Sequence, residues 1–147
     1  MQRIDKWIAS VFPVVLLCLQ YLVLLFSALF VLAACAGLQQ QVTVASGEGE
    51  KVVAIEATNF KFTPNNIKAY QGNVIVFRIS NISENNHNFT IKDPEGIMLQ
   101  SVGLQPQKTV EVKITLSKLG RYNYDCDKPL HSSLGMRGQI EVVKAEP

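Results

Sequence analysis

Cys126, His131 and Met136 stand in one short run, Tyr124-Asp125-Cys126-Asp127-Lys128-Pro129-Leu130-His131-Ser132-Ser133-Leu134-Gly135-Met136. Four residues separate each neighbouring pair of the three. His87 lies 39 positions before Cys126, and the chain has 2 histidines in all. A thiolate, two imidazoles and a weak, long axial thioether form the ligand set of a mononuclear copper centre that passes single electrons. Soft sulfur ligands favour copper over magnesium, calcium or manganese; zinc would bind too, but would gain little from a methionine. Taken singly, each residue has a plainer reading. A free cysteine packs well in a core, a methionine fills space there, and a lone histidine is usually solvated. Order and spacing single the four out, provided that folding carries His87 to the loop.

The chain has 147 residues, which favours one domain. With 14 basic and 12 acidic side chains and net charge +2, nothing points to nucleic acid, which would call for a clustered basic patch. Apolar residues make up 48% but are unevenly spread. From Trp7 to Ala34 no side chain is charged. About 20 apolar residues suffice for a membrane helix. Arg3 and Lys6 precede the stretch, which orients the rest of the chain outside the cytoplasmic membrane. Two readings stand side by side: a retained transmembrane anchor, or a secretory signal, although a usual signal core is only about 7–15 residues. Leu32-Ala33-Ala34-Cys35-Ala36-Gly37 resembles a bacterial lipobox, which implies lipid on Cys35. Either reading tethers a periplasmic or cell-surface domain. The expected organisation is a signal or anchor over 1–35, a flexible linker over 36–50, whose small polar residues have little to pack, and one domain over 51–147. Of the 3 cysteines, Cys18, Cys35 and Cys126, only the last falls in that domain. An unpaired cysteine in an oxidising compartment invites a metal-ligand or reactive-thiol explanation.

The elements that would position the ligands read as short strands. Val52 to Ala57, Ile67 to Tyr70, Val74 to Ser80, His87 to Lys92, Thr109 to Leu116, Arg121 to Asp125 and Gly138 to Lys144 are apolar or alternating. Asp93-Pro94-Glu95-Gly96 and Ser117-Lys118-Leu119-Gly120 supply turns. The pattern predicts an antiparallel sandwich or barrel. Phe60, Phe62, Phe77 and Phe89 are expected in its core, and Tyr122 and Tyr124 should share one inward face. Pro129 stiffens the ligand loop, while Gly135 and Gly138 permit a tight return into the last strand. Asn88 is placed to bond the backbone near Cys126, from where it would tune the thiolate.

The stretch Tyr124 to Val142 resembles the C-terminal copper-binding segment of the cupredoxins, the plastocyanin- and azurin-like blue-copper proteins. Phe60-Lys61-Phe62-Thr63-Pro64, the Gly72 turn, the strand Val74 to Ile79 and Asn81 before His87 fit the same family. The resemblance covers roughly Lys51 to Lys144. It implies an all-β Greek-key β-sandwich, preceded by the apolar N-terminal segment, and one type 1 copper. His87, Cys126 and His131 would be the strong ligands and Met136 the axial one. Many relatives have glycine where this chain has Leu130, a departure that touches the docking surface rather than the ligands.

The expected function is therefore a membrane-tethered electron carrier, not an enzyme. Its partners would be cytochromes or membrane complexes of a respiratory or photosynthetic chain. Copper oxidases and nitrite reductases of this architecture need further histidines, and a binuclear centre needs a second loop cysteine. Periplasmic copper storage or delivery, and a metal-free adhesion module, are the rival readings.

Overall fold

β-Branched and aromatic residues that alternate with polar ones set the strands, and the computed structural model describes them over residues 17–22 and 41–145. Ten strands lie among the described residues: β1 (Val42–Thr43), β2 (Glu50–Thr58), β3 (Lys61–Thr63), β4 (Asn66–Tyr70), β5 (Val74–Asn81), β6 (His87–Lys92), β7 (Met98–Leu104), β8 (Thr109–Thr115), β9 (Gly120–Asp125) and β10 (Arg137–Val143). They form a six-stranded sheet, β1-β4-β10-β9-β6-β7, and a four-stranded sheet, β3-β2-β5-β8. Strand alternation fills the space between them. Ile55, Phe77 and Val112 come from the smaller sheet, and Ile67, Phe89 and Ile140 from the larger; all are buried. The all-β two-sheet expectation holds, but the sheets are mixed rather than antiparallel: β1–β4, β4–β10 and β2–β5 pair in parallel. Alternation sets which face is buried and carries no information about strand direction.

Two strands fall where the sequence did not show them. β1 lies inside the stretch 36–50 read as a linker. Val42 and Thr43 pair with Ile67 and Lys68, the Val44 amide donates to the Lys68 carbonyl at 2.8 Å, and Val44 is buried. A three-residue Val-Thr-Val alternation is hidden by its polar surroundings. β7 is an edge strand exposed on both faces for most of its length, so it lacks the period of two that marks a half-buried strand.

Turn chemistry closes the β6–β7 hairpin. Asp93 Oδ1 accepts the amides of Glu95 and Ile97, each at 2.9 Å, and Gly96 takes a positive φ of 83°. Lys118, from the β8–β9 loop, bridges Asp93 and Glu95 at 2.7 Å each. That lysine, with the two amides, holds the Asp93 carboxyl below its ordinary value, and the two carboxylates push the Lys118 ammonium above its own.

Residues 17–22 are helical and exposed. Among the described residues no helix is long and apolar enough to cross a membrane. Arg3, Lys6, most of the apolar stretch from Trp7 to Ala34, and Cys35 with its lipobox-like surroundings lie outside the described residues.

Candidate metal centre

His87 opens β6 and Cys126 follows the last residue of β9. These strands are antiparallel neighbours, with Thr90 opposite Asp125, so their register brings the start of one beside the end of the other. Asn88 fastens the junction as the sequence predicted: its Oδ1 accepts the Asp127 amide at 2.9 Å. A second set of bonds runs behind it. Asn88 Nδ2 donates to Thr90 Oγ1, which also meets Ser101 Oγ at 2.7 Å and donates to Asp127 Oδ2 at 3.3 Å. The start of the ligand loop is thereby bound to β6 and β7.

The loop itself is a chain of tight turns. The amides of His131, Leu134 and Gly135 donate to the carbonyls of Lys128, Leu130 and Ser132. Cys126 N donates to Met136 O at 3.0 Å and Met136 N to His131 O at 2.9 Å, which pinches the loop shut. Gly135 sits at φ 113°, a conformation rarely open to other residues, and so serves the return as expected. Gly138 serves differently. It lies opposite Tyr124 on β10, and a methyl there would stand 2.3 Å from the tyrosine ring. Glycine is needed at that point for close approach, not for an unusual dihedral. The ring so accommodated packs edge-on against Phe62, 5.7 Å between centroids, and donates its hydroxyl to Pro64 O at 2.8 Å.

Three of the four anticipated ligands converge. Donor atoms of His87, Cys126 and His131 all lie within 4.8 Å of one another. His131 Nδ1 is 3.4 Å from Cys126 Sγ and 3.1 Å from His87 Nδ1. His87 and Cys126 are buried and His131 is partly exposed. Met136 is fully buried, with its backbone bonded to both Cys126 and His131. Burial, then the nearby His131 and Lys128, holds the His87 imidazole below its ordinary value, which favours the neutral ring a metal needs. The donors of the cluster are two ring nitrogens and one unpaired cysteine sulfur. A soft, uncrowded set of this kind suits a type 1 copper.

Two residues beside the cluster escaped the sequence reading. Phe60, expected in the core, is 41% exposed, with a positive φ of 61°. Its ring stands edge-on to His131, 5.0 Å between centroids. The two-residue turn between β2 and β3 breaks the alternation and turns Phe60 outward, whereas Phe62 is fully buried. Ser83 bonds His87 Nε2 at 2.9 Å. It sits in the polar run Ser83-Glu84-Asn85-Asn86, which has the composition of any solvated turn and gives no local signal of this contact.

Comparison with known proteins agrees with the fold. Auracyanin A of Chloroflexus aurantiacus, a "blue" copper protein, has 20% identity and a TM-score of 0.58, over 65% of this chain and 100% of that one. The reduced auracyanin of Roseiflexus castenholzii has 18% identity and a TM-score of 0.57, over 65% and 99%. The metal-binding domain of the Streptococcus pneumoniae Cu(I)-exporting P-type ATPase, solved with Cu(I), has 18% identity and a TM-score of 0.57, over 74% and 100%. At such identities the likeness establishes the fold. A search of curated proteins finds no match. The family model of the cupredoxin-like domain matches residues 23–142, most of the chain, and with this the chain belongs to the cupredoxin-like family.

Proposed function

We propose that this protein is a blue copper electron carrier, tethered outside the cytoplasmic membrane by its N-terminal segment or by lipid on Cys35. The observation that carries the reading is the meeting of His87, Cys126 and His131 at one point, from a strand and a loop 39 to 44 positions apart. His87, Cys126, His131 and Met136 would hold the ion. Copper, when bound, takes up and releases one electron. The chain's part is to keep the donors still. Hydrogen bonds fix both ends of the ligand loop, and the buried strand β6 fixes His87.

His131 is the least buried of the three donors and marks the exit toward a partner. Leu130, 73% exposed, Leu134, 59% exposed, and Phe60 surround it with apolar surface. A small apolar patch suits brief redox encounters, whose interfaces are at the low end of size. Cytochromes or membrane redox complexes are the partners this surface fits. Both histidines of the chain serve the one cluster, which leaves no imidazole for a second, catalytic copper and favours a carrier over an oxidase.

The test is optical. Stoichiometric Cu(II) should give an intense blue thiolate-to-copper absorption that Cys126→Ser abolishes. A colourless complex would replace the carrier with a copper-storage or delivery role, and absence of binding would leave an adhesion module.

A further inference from the structure

Ser83 is bonded to the far side of His87, and the hydrogen-bond inventory around it is complete enough to place protons. Asn81, the last residue of β5, is buried. One end of its amide faces two carbonyls, Asn85 O at 2.8 Å and Leu104 O at 3.1 Å. The other end faces the Ser83 amide at 3.1 Å. A backbone N–H only donates and a carbonyl only accepts, so Nδ2 points to the carbonyls and Oδ1 to Ser83.

The Ser83 hydroxyl has one proton and two lone pairs. Two of its neighbours can only accept: Asn81 Oδ1 at 2.8 Å and Asn85 O at 3.2 Å. They take the proton. A third neighbour, the Asn85 amide at 3.3 Å, donates into one lone pair. The remaining lone pair faces His87 Nε2 at 2.9 Å, and that contact is a hydrogen bond only when Nε2 carries hydrogen.

We propose that Ser83, oriented by Asn81, is a positioning residue that locks His87 in its Nε2–H tautomer, so that bare Nδ1 faces Cys126 and His131 before any metal arrives. Partners of this kind fix which imidazole nitrogen is free to ligate.

The inference rests on the copper-site reading for its purpose, but its first test needs no metal. Long-range proton–nitrogen correlation spectra of the metal-free wild-type protein, at a pH where both rings are neutral, should show His87 with a protonated Nε2 and a bare Nδ1. A proton on His87 Nδ1 overturns the lock. Ser83→Ala should give His87 a mixture of tautomers and weaken Cu(II) binding, measured by chelator competition, by about 10–100-fold; Ser83→Thr should restore both. Unchanged tautomer and affinity in a folded Ser83→Ala protein overturn the proposal. A wild-type protein that shows the stated tautomer yet binds no Cu(II) keeps the lock and overturns the copper reading instead.

Discussion

Leu130 and Phe60, two of the side chains that shape the surface around His131, both adopt the left-handed backbone region, with φ of 67° and 61°. Among the described residues only one other non-glycine, Gln107, does so. For an L-residue this region costs roughly 1–2 kcal/mol, and such strain gathers at functional sites. Leucine therefore occupies position 130 against its backbone preference. The consequence can be measured with two variants. Leu130→Gly and Leu130→Ala both remove the exposed apolar side chain, but only glycine relieves the strain. At an ordinary surface site the more flexible glycine would be the less stable of the two. Here Leu130→Gly should be more stable than Leu130→Ala by about 1 kcal/mol in denaturant melts. Both should slow electron exchange with an apolar-docking partner equally. Alanine equal to or above glycine would show that the loop rearranges and that no strain is held at this position.

At the scale of strands and turns, the sequence showed what one-dimensional periodicity can carry. Tyr122 and Tyr124 face the core as their spacing required, and Asn88 reaches the backbone of Asp127. Three candidate ligands meet where the register of β6 on β9 brings His87 beside the start of the loop that carries Cys126 and His131. Parallel pairing, the edge strand β7 and the short strand β1 were illegible. Direction and edge position depend on connections distant in sequence, and β7 has no buried face to produce alternation. Ser83 was illegible for the same reason as Phe60: a turn decides where each side chain points. The Asp93–Lys118 contact is also tertiary, and it joins the β6–β7 hairpin to the β8–β9 loop. Its pH signature follows from the shift. The folded-state pKa of Asp93 lies below the ordinary 3.8, so its contribution is present above that value and fades as pH falls through the lower folded one. Lys118 is shifted above the ordinary 10.5, so its share is kept below that value and lost only as pH rises through the raised one. Asp93→Asn keeps an oxygen for the Glu95 and Ile97 amides and removes only the charge. Its melting temperature should lie below wild type at neutral pH, and the gap should close as pH falls below 3.8. A gap that persists in acid would assign the effect to turn geometry instead of charge.

For the whole domain, the site is a property of the folded state alone. His87 and His131 are 44 positions apart, and two strand pairings must form before their rings stand 5.0 Å apart. An unfolded chain offers Cys126, His131 and Met136 as local donors but cannot complete the set. Metal binding is then largely folding free energy. With free Cu(II) at 100 times its dissociation constant, the folded domain should gain about 2.7 kcal/mol over the metal-free protein. A domain of this size shifts by roughly 4–8 °C per kcal/mol, so loading should raise the melting temperature by about 10–20 °C. Residual affinity of the unfolded loop for copper would reduce the figure toward the lower end. His87→Ala removes the one donor the loop lacks, and in that variant the copper-dependent increase should fall to the small remainder due to the loop itself. An increase in His87→Ala as large as in the wild type would mean that the loop alone binds the ion, and that the sandwich serves no purpose in assembling the centre.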